Sequence, residues 1–345
     1  MSQDLLNYDF RHTDAEINQA NKRLVLEFFR DLEKAQQSDL ANIINGYISS
    51  DYVWHGVYPF ELQQRGDVVE TFWKPFLNSW EHVQRRQTLF MAGESVFGGN
   101  WVVSMGHFLG MLERDWLGIP ATGKMAFLRY CEFHRVEESK LTETYFHTDL
   151  ISVMKQAGVD PLPPQTGAEF VFPGPRTNDG VVLDAQDAAE SAKTLELIQR
   201  MARDLGKHPE IDMDKKKLAE TWHDDMIWYG PSGIGSTMSI GGFKQQHQMP
   251  FRKRLYSTRK FNGHKSRFAE GRYGGWVGWP SLSMRVTGGG FMGLPATNTD
   301  IEMRVVDLYR REGDKIAENW VFIDIPYLLK QQELDIFERL LELRT

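Results

Sequence analysis

The chain has 345 residues, 41% hydrophobic, 12% aromatic and 25% charged, enough apolar material for sizeable cores, which excludes a disordered or fibrous chain. Lys and Arg number 40 against 47 Asp and Glu, a net charge of −7, so no net basic field favours nucleic acid. One cysteine, Cys131, excludes an internal disulfide framework and a cysteine-based zinc cluster. The polar, acidic start lacks a signal-peptide core, and no run reaches about 18 apolar residues, so a cytoplasmic chain without membrane contact is expected.

In chain order, residues 14–36 place Ile17, Leu24, Val25, Phe28, Phe29 and Leu32 near a 3.6-residue period, which predicts a helix. A short helix leads to Tyr47 and a third follows Gly66. The segments from Trp101, Ala126 and Lys140 then alternate as strands do. Gly158 to Gly180 is rich in Pro and Gly and can form neither a helix nor a central strand. With Phe170, Val171 and Phe172 expected to pack, it reads as an extended strap. Beyond it the order repeats, with helices over 187–205, over 215–221 and after Gly241, then strands. The tail, 333–343, is an amphipathic helix able to pack on a partner subunit.

The repetition is also literal. Gly118-Ile-Pro-Ala-Thr122 and Gly293-Leu-Pro-Ala-Thr297 stand 175 residues apart. The same offset, applied without gaps, pairs Gly99 with Gly274, Trp101 with Trp276 and Arg129 with Arg304. It also pairs Arg135 with Arg310, Glu143 with Glu318 and Asp149 with Asp324. Asp51-Tyr-Val-Trp54 echoes Asp225-Met-Ile-Trp228 at 174. A tandem duplication follows, with copy one over residues 1–157, a linker over 158–186 and copy two over 187–345. Each copy is expected to be an α+β domain, helices packed in a curved antiparallel sheet.

Gly118-x-Pro-x-Thr-Gly123, Phe133-His-Arg135, Lys140-Leu-Thr-Glu143 and Asp149 through Lys155-Gln156, with their second-copy counterparts, resemble the SnoaL-like polyketide cyclase family. The resemblance implies the nuclear-transport-factor-2-like superfold, a cone-shaped α+β barrel. It implies a small-molecule substrate and no cofactor. It also implies sheet-to-sheet pairing, as a homo-oligomer or as a pseudo-dimer within the chain. The family's acid/base aspartate matches Asp149 and, in copy two, Asp324.

On a strand Tyr145, His147 and Asp149 share one face, and if that face lines the cone a phenol, an imidazole and a carboxylate converge. The alternative for Asp149 is to cap the following helix. His107 could lie across the sheet from His147, with His55 and Trp54 contacting substrate. Copy two offers Trp320, Phe322 and Leu282 where copy one has Tyr145, His147 and His107, while Tyr229 stands for His55 and Asp324 remains. This reading places acid/base chemistry on a carbonyl-bearing substrate in copy one, as cyclisation, isomerisation, elimination or hydration, with Asp324, Trp320 and Tyr229 left for binding. A ligand-binding module without turnover is a second reading. A metal enzyme using His55, His107, His147 and Asp149 is a third, although their spacing matches no local metal motif. Glu143 and Glu318 are expected to pair across strands with Arg129 or Arg304.

Overall fold

A computed structural model describes residues 15–169, 173–207, 215–255, 259–289 and 291–344. The packing expected of Phe170, Val171 and Phe172 lies outside the described residues.

Copy one begins with the helices Ala15–Lys34 and Leu40–Tyr47, followed by β1 (Ile48–Gly56) and β2 (Leu62–Gln64). The helical stretch 69–79 leads into β3 (Trp80–Glu94), β4 (Asn100–Leu112), β5 (Met125–Glu137) and β6 (Lys140–Thr148). The helix Leu150–Gln156 closes the copy. Copy two repeats this order with the helix Ala188–Lys207, β7 (Trp222–Tyr229), β8 (Thr237–Met238) and helical turns over 239–255. Then come β9 (Arg259–Phe261), β10 (Ser266–Glu270), β11 (Tyr273–Arg285), β12 (Asp300–Glu312) and β13 (Lys315–Ile323), with the helix Ile325–Lys330.

The first sheet runs β2-β1-β6-β5-β4-β3 and the second β10-β11-β12-β13-β7-β8, with β9 beside β11. The registers agree. Trp54 pairs with Thr144 and His55 with Tyr145 in a parallel contact, as Trp228 pairs with Asn319 and Tyr229 with Trp320. Tyr130 faces Thr148 as Val305 faces Ile323. The architecture is two α+β copies, each a long, mostly antiparallel sheet curled around helices.

Strand alternation gives each sheet two apolar faces, and they are used differently. The inner faces bury Trp54, Phe108, Tyr130 and Phe146 in copy one, and Trp228, Val305, Tyr309 and Val321 in copy two, against the helices. The outer faces pack on each other. Val103, Cys131, Phe133 and Tyr145 form one buried cluster with Tyr229, Val306, Leu308, Trp320 and Phe322. The sheet-to-sheet pairing is thus present within one chain.

Long-range polar contacts fasten this seam. Buried Lys22 lies 2.5 Å from Glu270, whose other oxygen accepts the Ala92 N–H at 2.7 Å. The Arg129 guanidinium donates to the Val321 carbonyl at 3.0 Å, and Arg304 reaches Glu61 at 2.8 Å. The strap follows both sheets. Phe90 and Val181 form a bridge, and the Trp320 indole donates to the Pro173 carbonyl at 3.0 Å. The tail helix Ile336–Leu343 packs one face on copy one. Arg344 pairs with Asp115 at 2.7 Å, and Phe337 lies on Tyr58 at 5.6 Å.

The gapless offset fails on β11. Ser104 faces Glu132, and Trp276 faces Asp307, 175 residues beyond Glu132, so Trp276 corresponds to Ser104 and Tyr273 to Trp101. A slip of three residues is odd and reverses the face. Trp101 therefore packs in the seam while Trp276 points into the cone. A register shift between Gly278 and Leu282 then makes Leu282, opposite Met303, the counterpart of Phe108 rather than of His107.

Candidate functional site

The residues expected to line the first cone fall on the other face of their strand. Tyr145 and His147 point into the seam, where both rings lie against Trp279 of copy two, at 5.7 and 5.1 Å. His55 stacks on Tyr145 at 4.3 Å and contacts Glu143 at 3.0 Å. His107, also outward, lies edge-on to Phe127. Burial and nearby arginines push His147 down to about 3 and His107 to about 4, so both imidazoles are neutral near pH 7. Among the described residues, no three His, Cys, Asp or Glu side chains converge as a metal site.

Asp149 and Asp324 also serve the seam. Asp149 accepts the Ser152 N–H at 3.1 Å, capping its helix, and the Ser232 N–H of copy two at 2.8 Å. Asp324 caps the next helix through the Tyr327 N–H at 3.1 Å and accepts the Tyr58 N–H of copy one at 3.0 Å. Arg304 lies 3.1 Å from Asp324. Tyr229 and Trp320 stack on each other at 5.4 Å in the same seam. Glu318 pairs with Arg310, opposite it on β12, and Glu143 lies opposite Arg135, because Arg129 and Arg304 lie six residues further from the hairpin and reach across to the other copy. Of the expected residues, Trp54 alone faces the first cone, as core against Phe72 and Phe146.

The inner faces carry a different polar set. In copy one Glu132 forms a buried ion pair with Arg85 and lies 3.6 Å from His134, which meets the Thr144 hydroxyl at 2.9 Å. Burial would raise the Glu132 carboxyl, but Arg85 and His134 outweigh it and hold it below the usual range. The rest of this cone is filled. Phe72 is fully buried among Trp54, Phe60, Phe76, Trp116 and Phe146.

Copy two distributes its bulk differently, with Trp276 where copy one has Ser104, and among the described residues its inner carboxyl has no such ion pair. By register, Phe146, Tyr130 and Phe108 become Val321, Val305 and Leu282. Glu132 becomes Asp307, and Arg85, opposite Phe108, becomes Phe261, opposite Leu282. Asp307 is left with neutral donors. The Trp276 indole N–H donates at 3.1 Å and the Asn319 amide at 3.3 Å, with the Tyr309 hydroxyl beside them. Burial in these surroundings pushes its carboxyl up to about 6. Unlike the side chains around it, Asp307 is only half-buried, so it keeps accessible surface. Trp222, Trp228 and His247 complete an aromatic lining, His247 stacking on Trp228 at 3.9 Å with its Nδ1 unpartnered. A carboxyl titrating near neutrality beside three hydrogen-bond donors and an aromatic wall can take up or deliver a proton at a bound organic molecule.

Residues 281–332, which include Asp307, Asn319 and Asp324, match the family model described as SnoaL-like polyketide cyclase. Over that stretch the chain is similar to the SnoaL-like family. A provisionally named SnoaL-like polyketide cyclase from Jannaschia sp. CCS1 superposes with 17% identity and a TM-score of 0.36, covering 43% of this chain and 96% of its own. A nuclear-transport-factor-2-like protein from Burkholderia xenovorans LB400 gives 16% identity and a TM-score of 0.33, covering 41% and 96%. No curated protein matches this chain. No described helix is long and apolar enough to cross a membrane.

Sequence reasoning missed Asp307. Its signal was present, since the 175-residue offset aligns Glu132 with Asp307, two carboxylates on the strand before the repeated hairpin. Alternation within a strand groups residues by face but does not say which face is inside.

Proposed function

We propose that the second cone is the active site of a small-molecule acid/base enzyme and that Asp307 is its base. The substrate is a carbonyl-bearing organic molecule, and cyclisation, isomerisation, elimination and hydration all use this step. The observation that carries the proposal is the contrast between two equivalent carboxyls. Glu132 is tied to Arg85 in a filled cone, whereas Asp307 is held by neutral donors, keeps accessible surface and titrates at about 6. A base with a pKa just below the working pH is ionised yet basic enough to remove a proton from carbon. Trp276, Asn319 and Tyr309 would stabilise the carboxylate and orient one lone pair toward the substrate. Copy one then acts as scaffold, and its sheet face, already covered by copy two, supports an internal pseudo-dimer as the working unit.

The test needs no natural substrate. Exchange of acidic C–H protons for deuterium in a panel of aryl ketones and cyclic diketones is followed by NMR with wild type, Asp307→Asn and His147→Phe. Wild type and His147→Phe should accelerate exchange in at least one compound, and Asp307→Asn should lose about 10²-fold or more, the scale of a removed general base. Equal rates for wild type and Asp307→Asn would refute the assignment.

A further inference from the structure

The duplication moved a cation as well as removing one. Arg85, the partner of Glu132, is replaced by Phe261, while Phe90, which lies opposite Ser104, is replaced by Arg267, which lies opposite Trp276. Arg267, Trp276 and Asp307 therefore form one row across three adjacent strands of the inner face. Two strand spacings of about 4.8 Å put the Arg267 and Asp307 backbones about 10 Å apart.

Arg267 is 5% exposed, yet among the described residues it has no carboxylate partner. Its Nε donates to His264 Nδ1 at 3.2 Å and its Nη2 lies 2.8 Å from the same atom. His264 stacks on Trp276 at 4.7 Å and, desolvated beside the guanidinium, is held well below its usual range, so it is a neutral acceptor that leaves the charge uncompensated. The Trp276 ring lies 5.4 Å from the guanidinium carbon and the Phe97 ring, from the copy-one hairpin, 5.6 Å. That hairpin is pinned to β10, because Arg267 N–H donates to Ser95 Oγ at 3.0 Å and the Val96 N–H to the Arg267 carbonyl at 2.9 Å. A buried cation with only neutral neighbours costs stability, and an anion that pairs with it recovers that cost.

We propose that Arg267 is the anion-binding residue of the second cone and that the molecule bound there is a planar organic carboxylate. Its carboxylate pairs with the guanidinium, its ring system lies along Trp276, and its far end reaches Asp307. This inference rests on the reading of the second cone as a ligand site, but not on Asp307 acting as a base. The roughly 10 Å between the two ends fits a fused two-ring acid better than a small aliphatic one. Copy one contributes Phe97 to the anion end, so the site is assembled by both copies.

The probes are 2-naphthoate and its neutral isostere 2-naphthamide, titrated into the full chain by tryptophan fluorescence and calorimetry. Wild type should bind naphthoate at least tenfold more tightly than naphthamide. Arg267→Gln should erase that preference while changing naphthamide affinity less than twofold, and Arg267→Lys, which keeps the charge, should retain most of it. Melting curves establish that each variant is folded, and the Lys variant keeps the test open if the Gln variant is not. Absence of a carboxylate preference in wild type, or its survival in Arg267→Gln, overturns the proposal. Asp307→Asn separates the two readings, since naphthoate binding should persist or tighten there. Retained exchange activity in Asp307→Asn with naphthoate binding lost in Arg267→Gln would remove the base and leave the anion site standing, and the reverse result would do the opposite.

Discussion

Asp149 accepts the backbone N–H of Ser232 at 2.8 Å, and Asp324 accepts that of Tyr58 at 3.0 Å, so each copy's aspartate holds the loop of the other. Tyr58 and Ser232 are themselves equivalent at the 174-residue offset, and the pair of contacts reproduces a twofold relation inside one chain. Both carboxyls are raised by burial, Asp324 to about 7, despite the N–H donors and arginines that favour ionisation.

Asp149→Asn should therefore act on stability rather than turnover. One oxygen becomes an NH2 group facing a backbone donor, which costs about 1–3 kcal/mol for a buried group left unsatisfied. The expected result is a melting temperature lower by several degrees and an unchanged exchange rate per folded molecule. A tenfold loss of rate without a thermal shift would return the chemistry to copy one.

Glu132→Gln and Asp307→Asn should differ in the same assay. Removing Glu132 leaves Arg85 buried among Phe29, Phe108 and Tyr130 without its counter-charge, a loss of about 3–5 kcal/mol. Asp307 has no ion pair among the described residues, so its amide should be neutral or stabilising at pH 8, as measured by denaturant midpoints.

The Asp307 carboxyl also sets a pH dependence. Its folded pKa of about 6 lies above the unfolded value of 3.8, so between those values the folded chain holds more protons. Stability contributed by this group is full below about 4 and is lost as pH rises to about 6, a loss that Asp307→Asn should abolish. Exchange activity should move oppositely, rising through an apparent pKa near 6 as the base ionises. A profile flat from pH 5 to 8 would exclude this carboxyl as the base.

Lys22 and Glu270 should show strong coupling. Glu270→Gln alone strands a buried ammonium and should cost about 3–5 kcal/mol. Adding Lys22→Met removes that charge and should recover most of the loss, leaving the Ala92 N–H with a weaker acceptor.

The duplication, the α+β class and the order of helices before strands were legible in the sequence, because they rest on short-range periodicity and on repeated words such as Gly118 to Thr122 and Gly293 to Thr297. The grouping of Tyr145 with His147 on one face was legible for the same reason. Which face lined the cone was not, since β6 carries polar and aromatic residues on both faces and both faces are buried, so polarity does not tell inside from outside. Local words likewise aligned Trp101 with Trp276, but inter-strand hydrogen bonding placed them three residues apart and on opposite faces. The sequence by itself determined that two α+β copies would form. Tertiary pairing decided that Tyr145, His147, Asp149 and Asp324 would face the seam, because the outer faces of the two sheets bury each other, and that Asp307 would lack the arginine its counterpart Glu132 keeps.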